Sequence, residues 1–234
     1  MMDVIILCGG KGTRLNEETT NKPKPMVEIG GMPILWHIMK IYSHYGFNRF
    51  ILALGYKSDQ IKQYFHDEKQ WKIDFVDTGE ETLKGGRIKR VEKYINSDIF
   101  HLTYGDGVSD VDLNKLVNFH KSHDCVGTVT AVRPPSRFGE LNIDENDTVL
   151  DLEEKPQMGQ GLINGGFFVF DKKIFNFIKD KNVMLEREAL TKLVNVGQLK
   201  AYKHKGFWQC MDTVRDKLLL NKMLKSKKAP WIKK

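Results

Sequence analysis

Val4-Ile5-Ile6-Leu7-Cys8-Gly9-Gly10-Lys11-Gly12-Thr13-Arg14-Leu15 is the stretch that decides the fold. An uninterrupted apolar run from Val4 to Cys8 predicts a strand buried on both faces. Gly9, Gly10 and Gly12 follow at once, and glycine lets backbone N–H groups converge on one point and a ligand approach closely. A strand feeding such a loop is a phosphate cradle, or no more than a tight turn. The spacing is not that of a P-loop, nor of the dinucleotide fingerprint G-x-G-x-x-G. Arg14, Lys22 and Lys24 then make this part of the chain strongly cationic.

Outward from this stretch, strand and helix patterns alternate. Ile34, Leu35, Ile38, Met39 and Tyr42 recur at three and four spacing and predict a helix ended by Gly46. Phe50–Leu54 is a second buried strand, with Ser58 or Asp59 placed to cap a helix whose inner face is Ile61, Tyr64 and Phe65. A strand over 73–76 precedes a helix marked by Ile88, Val91 and Ile95. That helix starts at Gly85-Gly86, with Arg87 in its first turn. Such a start faces anions, although a basic exposed helix reads the same way. Strand 99–103 runs into Tyr104-Gly105-Asp106-Gly107, so Asp106 lies beyond the carboxyl end of a central strand, where open α/β sheets bind ligands. A carboxylate there suits Mg²⁺; Asp-Gly is equally an ordinary turn.

A helix around Leu113–Phe119 and a strand over 126–132 continue the rhythm. Strand-like runs at 139–143, 148–152 and 162–170 then suggest a small mixed or antiparallel extension, and paired glycines at 165 and 166 mark a bulge or a close backbone approach. Helices are predicted over 173–179, 186–196 and 214–224, the last capped by Asp212 or Thr213. The fold class is therefore α/β: a Rossmann-like, mixed, mainly parallel central sheet flanked by helices with a small antiparallel extension, in one domain over 1–234.

Composition bounds the rest. The 234 residues are 41% hydrophobic and 29% charged, ordinary for a globular chain. No run approaches the ~18 apolar residues of a membrane span, and the N-terminus opens directly on a strand, so a cytoplasmic protein is expected. Cys8, Cys125 and Cys210 lack metal spacing and read as reduced thiols, the first two in the core. The net charge of +7 owes part of its excess to lysines at 222, 225, 227, 228, 233 and 234. Without interleaved aromatics these read as a solvated helix end, with no nucleic-acid or membrane partner.

The longer string is more specific. Gly-Gly-x-Gly-Thr-Arg-Leu followed by Pro23-Lys24-Pro25-Met26 resembles the signature of sugar-1-phosphate nucleotidylyltransferases. Val27–His37, Gly85-Gly86-Arg87, Thr103–Gly107, Arg137-Phe138-Gly139, Asn164–Phe168, Gly206–Gln209, Met211-Asp212-Thr213 and Lys228–Trp231 narrow the resemblance to the glucose-1-phosphate cytidylyltransferase branch. It implies a GT-A type fold and Mg²⁺-assisted transfer of a cytidylyl group from CTP to glucose 1-phosphate. It implies Arg14, Lys24 and Asp106 as catalytic residues and Asp106 and Asp212 as metal ligands. Nucleotide contacts would come from Leu7, Cys8, Gly9, Gly10, Lys11, Gly12, Thr13, Arg14, Lys24, Thr82, Arg87 and Gly105. Glu154, Lys155, Asn164 and Gly165 would face the sugar. A homo-oligomer is implied as well. One departure stands out: family members carry a longer segment where only residues 66–73 join helix to strand here, and that segment is a plausible oligomer contact. The competing readings are the same chemistry with UTP, dTTP or another sugar 1-phosphate, and a non-catalytic sugar-nucleotide-binding module.

Overall fold

The computed structural model describes residues 2–12, 15–134, 140–143, 145, 148–153, 161–179 and 182–233. The apolar runs become strands β1 (Asp3–Leu7), β4 (Arg49–Leu54), β5 (Lys72–Asp77) and β6 (Ile99–Tyr104), with the two-residue hairpin β2 (Glu28–Ile29) and β3 (Met32–Pro33) between the first two. β1 pairs in parallel with both β4 and β6, Val4 lying beside Phe50 on one side and His101 on the other. β5 extends the parallel set beyond β4. These strands read as continuous apolar runs because helices cover both faces. Val4 and Ile6 of β1 join Phe50, Leu52 and Leu54 of β4 in one core cluster, and the alternate residues Ile5, Leu7, Ile51 and Ala53 join a second.

The first cluster lies under α2 (Ile34–His44), α3 (Ser58–Phe65) and two helices from later in the chain. α1 (Asn16–Thr19) is a single turn after the glycine loop. The second cluster is covered by α4 (Lys84–Val91). α5 (Leu113–Lys121) packs against the first cluster, its N-terminus capped by the Asp112 carboxylate, which accepts from Lys115 N at 2.9 Å.

The second half supplies the mixed part of the sheet, as the expected mixed or antiparallel extension allows. Its strands are β7 (Gly107–Ser109), β8 (Gly127–Val132), β9 (Glu140–Ile143), β10 (Val149–Glu153), β11 (Ile163–Asn164), β12 (Phe168–Asp171), β13 (Leu199–Lys203) and β14 (Trp208–Cys210). β12 is inserted into the main sheet, antiparallel to both β6 and β8, and β13 closes that side in parallel with β8. The 162–170 run is thus two strands broken at Gly165-Gly166-Phe167, where Gly166 (φ 74°) and Phe167 (φ 45°) adopt left-handed backbone. β9 and β10 do form a separate antiparallel pair. β7 and β14 form another, which had no signal in the sequence beyond three residues each.

Several local expectations are corrected. Neither Ser58 nor Asp59 caps α3; Lys57, at φ 49°, holds that position, and Tyr64 is exposed. α4 ends at Val91, and Ile95 reaches the core after a 3-10 turn. Residues 172–176 form a 3-10 turn, and 185–190 form a π-helix that passes into α6 (Thr191–Asn195). Cys125 is half-buried, with its thiol on Gly197 O, and all three cysteines are free. α7 (Val214–Lys225) is capped by Thr213, in a reciprocal capping box with Asp216. The short 66–73 connection folds Trp71 into the core against Phe50 and Phe65.

Candidate active site

The carboxyl ends of β1 and β6 open into a cleft of about 650 Å³. The glycine loop forms one wall. Cys8 N prolongs the β1 ladder to Ala53 O at 2.9 Å, after which Gly9, Gly10, Lys11 and Gly12 line the cleft. Gly12 has φ +66°, and a side chain there would meet Lys24 Cβ at 2.8 Å. Thr13 and Arg14 lie outside the described residues, as do Glu154 and Lys155. Lys22 sits beside Glu28, 3.5 Å away, and does not line the cleft, contrary to its assignment to the cationic loop.

Lys24 is the centre of the arrangement. Pro23 starts a 3-10 turn over Lys24–Met26 that buries the lysine stem under the loop. Its Nζ donates to Asp106 Oδ2 at 2.6 Å and to Asp212 Oδ1 at 2.5 Å. Burial disfavours the ammonium, but the two carboxylates outweigh that and hold its pKa above the usual lysine value. Asp106 follows β6. Asp212 follows β14 and is brought alongside by the β7/β14 ladder, in which Cys210 faces Gly107 and Met211 N donates to Asp106 O at 2.8 Å. Two carboxylates that share one cation already present hard oxygen donors to a single point, so the donor set fits Mg²⁺, which takes one or two carboxylates and completes its shell with phosphate oxygens and water. Among the described residues no three His, Cys, Asp or Glu side chains cluster for a metal.

The far wall is α4 and the loop before it. Thr82, Leu83 and Lys84 line the cleft. Arg87, expected at the nucleotide, is buried and engaged within the protein. Its Nη1 donates to Leu54 O, Thr78 Oγ1 and Gly79 O at 3.0, 2.8 and 2.7 Å, and Nη2 donates to Gly9 O and Glu80 O at 2.9 and 2.8 Å. Desolvation lowers its pKa, and the guanidinium acts here as a clamp joining the glycine loop to the 78–80 turn. At the mouth, Lys11 bridges the same two segments, donating to Glu81 at 2.7 Å.

The third wall carries Asn164 and Gly165. Asn164 Oδ1 accepts from Gly166 N at 2.9 Å, which sets the amide so that Nδ2 donates to Tyr104 OH at 3.0 Å. Trp208 Nε1 donates to Gly165 O at 2.7 Å. Tyr104, Met184, Glu186 and Trp208 also line the cleft, and the sequence assigned a site role to none of the four, although Tyr104 and Trp208 lie in its motifs. For Tyr104 a signal existed, since it stands two residues before Asp106 at a strand end. For Glu186 there was only a helix-start glutamate. Burial pushes the Cys210 thiol up to about 12, helped by Asp212 and Asp106, and the Cys8 thiol is raised as well, so neither is a nucleophile.

The nucleotidyl transferase family matches residues 3–222. Glucose-1-phosphate cytidylyltransferase of Salmonella typhi is 45% identical over 254 aligned positions, spanning 98% of each chain. The probable glucose-1-phosphate cytidylyltransferase of Bacillus subtilis is 43% identical over 98% of this chain and 99% of its own. Among solved structures, HddC from Yersinia pseudotuberculosis superposes with a TM-score of 0.76 at 32% identity, covering 96% of this chain and 100% of that one. The cleft at the strand ends, the shared carboxylates and these matches lead to one conclusion: the chain belongs to the nucleotidyl transferase family.

Proposed function

We propose that the protein transfers a cytidylyl group from CTP to α-D-glucose 1-phosphate, giving CDP-glucose and pyrophosphate. The observation that carries this is the Lys24 ammonium held by Asp106 and Asp212 beneath the glycine loop, in a chain 45% identical along nearly its whole length to a protein with that name.

A phosphate oxygen of the sugar phosphate attacks the α-phosphorus of CTP in line, and pyrophosphate leaves. The nucleophile is ionised near neutral pH, so no general base is required; positioning and charge neutralisation supply the rate. Asp106 and Asp212 would hold Mg²⁺, which when bound neutralises charge on the reacting phosphates. Lys24 then gives its ammonium to a phosphate oxygen. The backbone of Gly9, Gly10 and Gly12, with Thr13 and Arg14, receives the triphosphate. Thr82 and the Arg87-clamped loop receive the base. Asn164 and Gly165, with Glu154 and Lys155, face the sugar. A panel of CTP, UTP and dTTP with glucose 1-phosphate, read as pyrophosphate release, tests the reading. CTP should give the highest kcat/KM, and UTP or dTTP outcompeting it would overturn the base assignment.

A further inference from the structure

Glu186 stands on the π-helical turn 185–190 with its carboxylate on the cleft wall. Its two oxygens are treated differently. Oε1 accepts from the Lys84 ammonium at 2.5 Å and from the Tyr104 hydroxyl at 2.9 Å. Oε2 is buried and has no hydrogen-bond partner among the described residues. Burial raises the carboxyl pKa, but Lys84 outweighs it and the net shift is downward, with help from the residue's own backbone N–H and from the Tyr104 hydroxyl. The group is therefore an acceptor-only carboxylate with half its capacity unused, and a buried acceptor without a donor is costly.

The direction of the neighbouring bonds is fixed. Asn164 donates to the Tyr104 oxygen, so the single Tyr104 O–H is given to Glu186. Lys84 lies over the Tyr104 ring, 4.8 Å from its centroid, and restrains the pair from the other side. Asn164, Tyr104 and Glu186 thus form one hydrogen-bonded row leading from the Gly165-Gly166 bulge along the wall. The group that completes this row must be a hydrogen-bond donor and not an anion, since a phosphate facing Oε2 would be repelled. Hydroxyls are the donors that a sugar phosphate offers. The χ3 torsion of glutamate is soft, so the carboxylate can turn Oε2 to an arriving hydroxyl without moving the backbone.

The geometry points to Glu186 as the carboxylate that takes a hexose hydroxyl of the sugar 1-phosphate, and so as a specificity-determining residue of this reaction. The assignment rests on the transferase reading above. The hexose is favoured over the ribose because the row starts at Asn164, the residue expected on the sugar side. Lys84 and Tyr104 keep the carboxylate ionised and in place.

Glu186→Gln is the direct test, because it keeps the shape and leaves an acceptor for Lys84 and Tyr104. Calorimetry with CDP-glucose and with CMP should show CDP-glucose bound about 10- to 100-fold more weakly, the range for a hydrogen bond to a charged group, with CMP unchanged or slightly tighter. Equal weakening of both ligands would place the contact on the nucleotide and overturn the proposal, and so would no change in either. Wild-type protein supplies a second arm that does not depend on the variant folding. With the 2-, 3-, 4- and 6-deoxy analogues of glucose 1-phosphate, at least one should lose about tenfold or more in kcat/KM against glucose 1-phosphate; no loss with any of them overturns the assignment. The nucleotide panel fixes the base that the wild type uses. A wrong base therefore changes the sugar nucleotide used as probe and leaves the Glu186 comparison intact.

Discussion

At the scale of one residue, a single ammonium joined to two carboxylates stands at the centre of the cleft. Lys24 is buried, so its charge is weakly screened and its loss removes the ammonium that Asp106 and Asp212 share. Lys24→Ala should lower kcat on the order of 10²–10³-fold, and Asp106→Asn or Asp212→Asn should do likewise in saturating Mg²⁺. Steady-state assays beside a thermal melt separate this from unfolding; an unchanged kcat for either aspartate variant would remove it from the metal assignment. Lys24 and Asp106 were legible in the sequence because each follows a strand end or glycine loop. Arg87 was legible as a cleft residue, but the clamp it makes within the protein was not. Its acceptors are carbonyls of residues 9, 54, 79 and 80, and no local pattern announces which side chain meets which carbonyl across a cleft.

At the scale of the element, α4 works through that clamp. Gly9 and Gly55 exist where they do because the guanidinium passes so close; a Cβ would lie 2.1 Å from Arg87 Nη1 at Gly9 and 2.4 Å at Gly55. Arg87→Lys cannot reproduce a planar fork that serves five acceptors. We expect a loss of about 2 kcal/mol or more in denaturant unfolding, with the KM for CTP rising as the 78–82 turn loosens. A variant of wild-type stability would show the clamp to be dispensable. The element pattern was well marked in the first half of the chain, where long apolar runs give period and length together. It was poorly marked in the second. Strands β7 and β14 are three residues each, and β12 looks like any amphipathic hairpin strand although it sits inside the main sheet. Only pairing partners from far along the chain decide such cases, and the sequence does not display them.

The molecule as a whole carries an acid-sensitive core. His101 occupies the middle of β6, fully buried between the rings of Tyr42 and Phe47, and burial pushes its pKa down to about 3. His120, hydrogen-bonded through Nδ1 with Thr128, is likewise lowered to about 4, by burial and then by His123. An unfolded histidine titrates near 6.5, so between about 6.5 and about 3 the unfolded chain binds protons that the folded one refuses. Stability is therefore full above about pH 6.5 and declines as pH falls through this window. His101→Leu should flatten that decline, measured as the melting temperature between pH 7 and pH 4; a variant that loses stability as steeply as the wild type would clear His101 of the effect.

The ladder between β7 and β14 has a temporal meaning too. Lys24 and Asp212 are 188 residues apart, and Asp212 follows the β14 side of that ladder. Contacts of such separation close late, after the local pairings have formed. A nascent chain on the ribosome therefore displays the complete glycine loop, Lys24 and Asp106 while Asp212 is still unsynthesised. Until β14 emerges and docks on β7, the Lys24 ammonium has the Asp106 carboxylate alone, and the second carboxylate joins it only with the ladder.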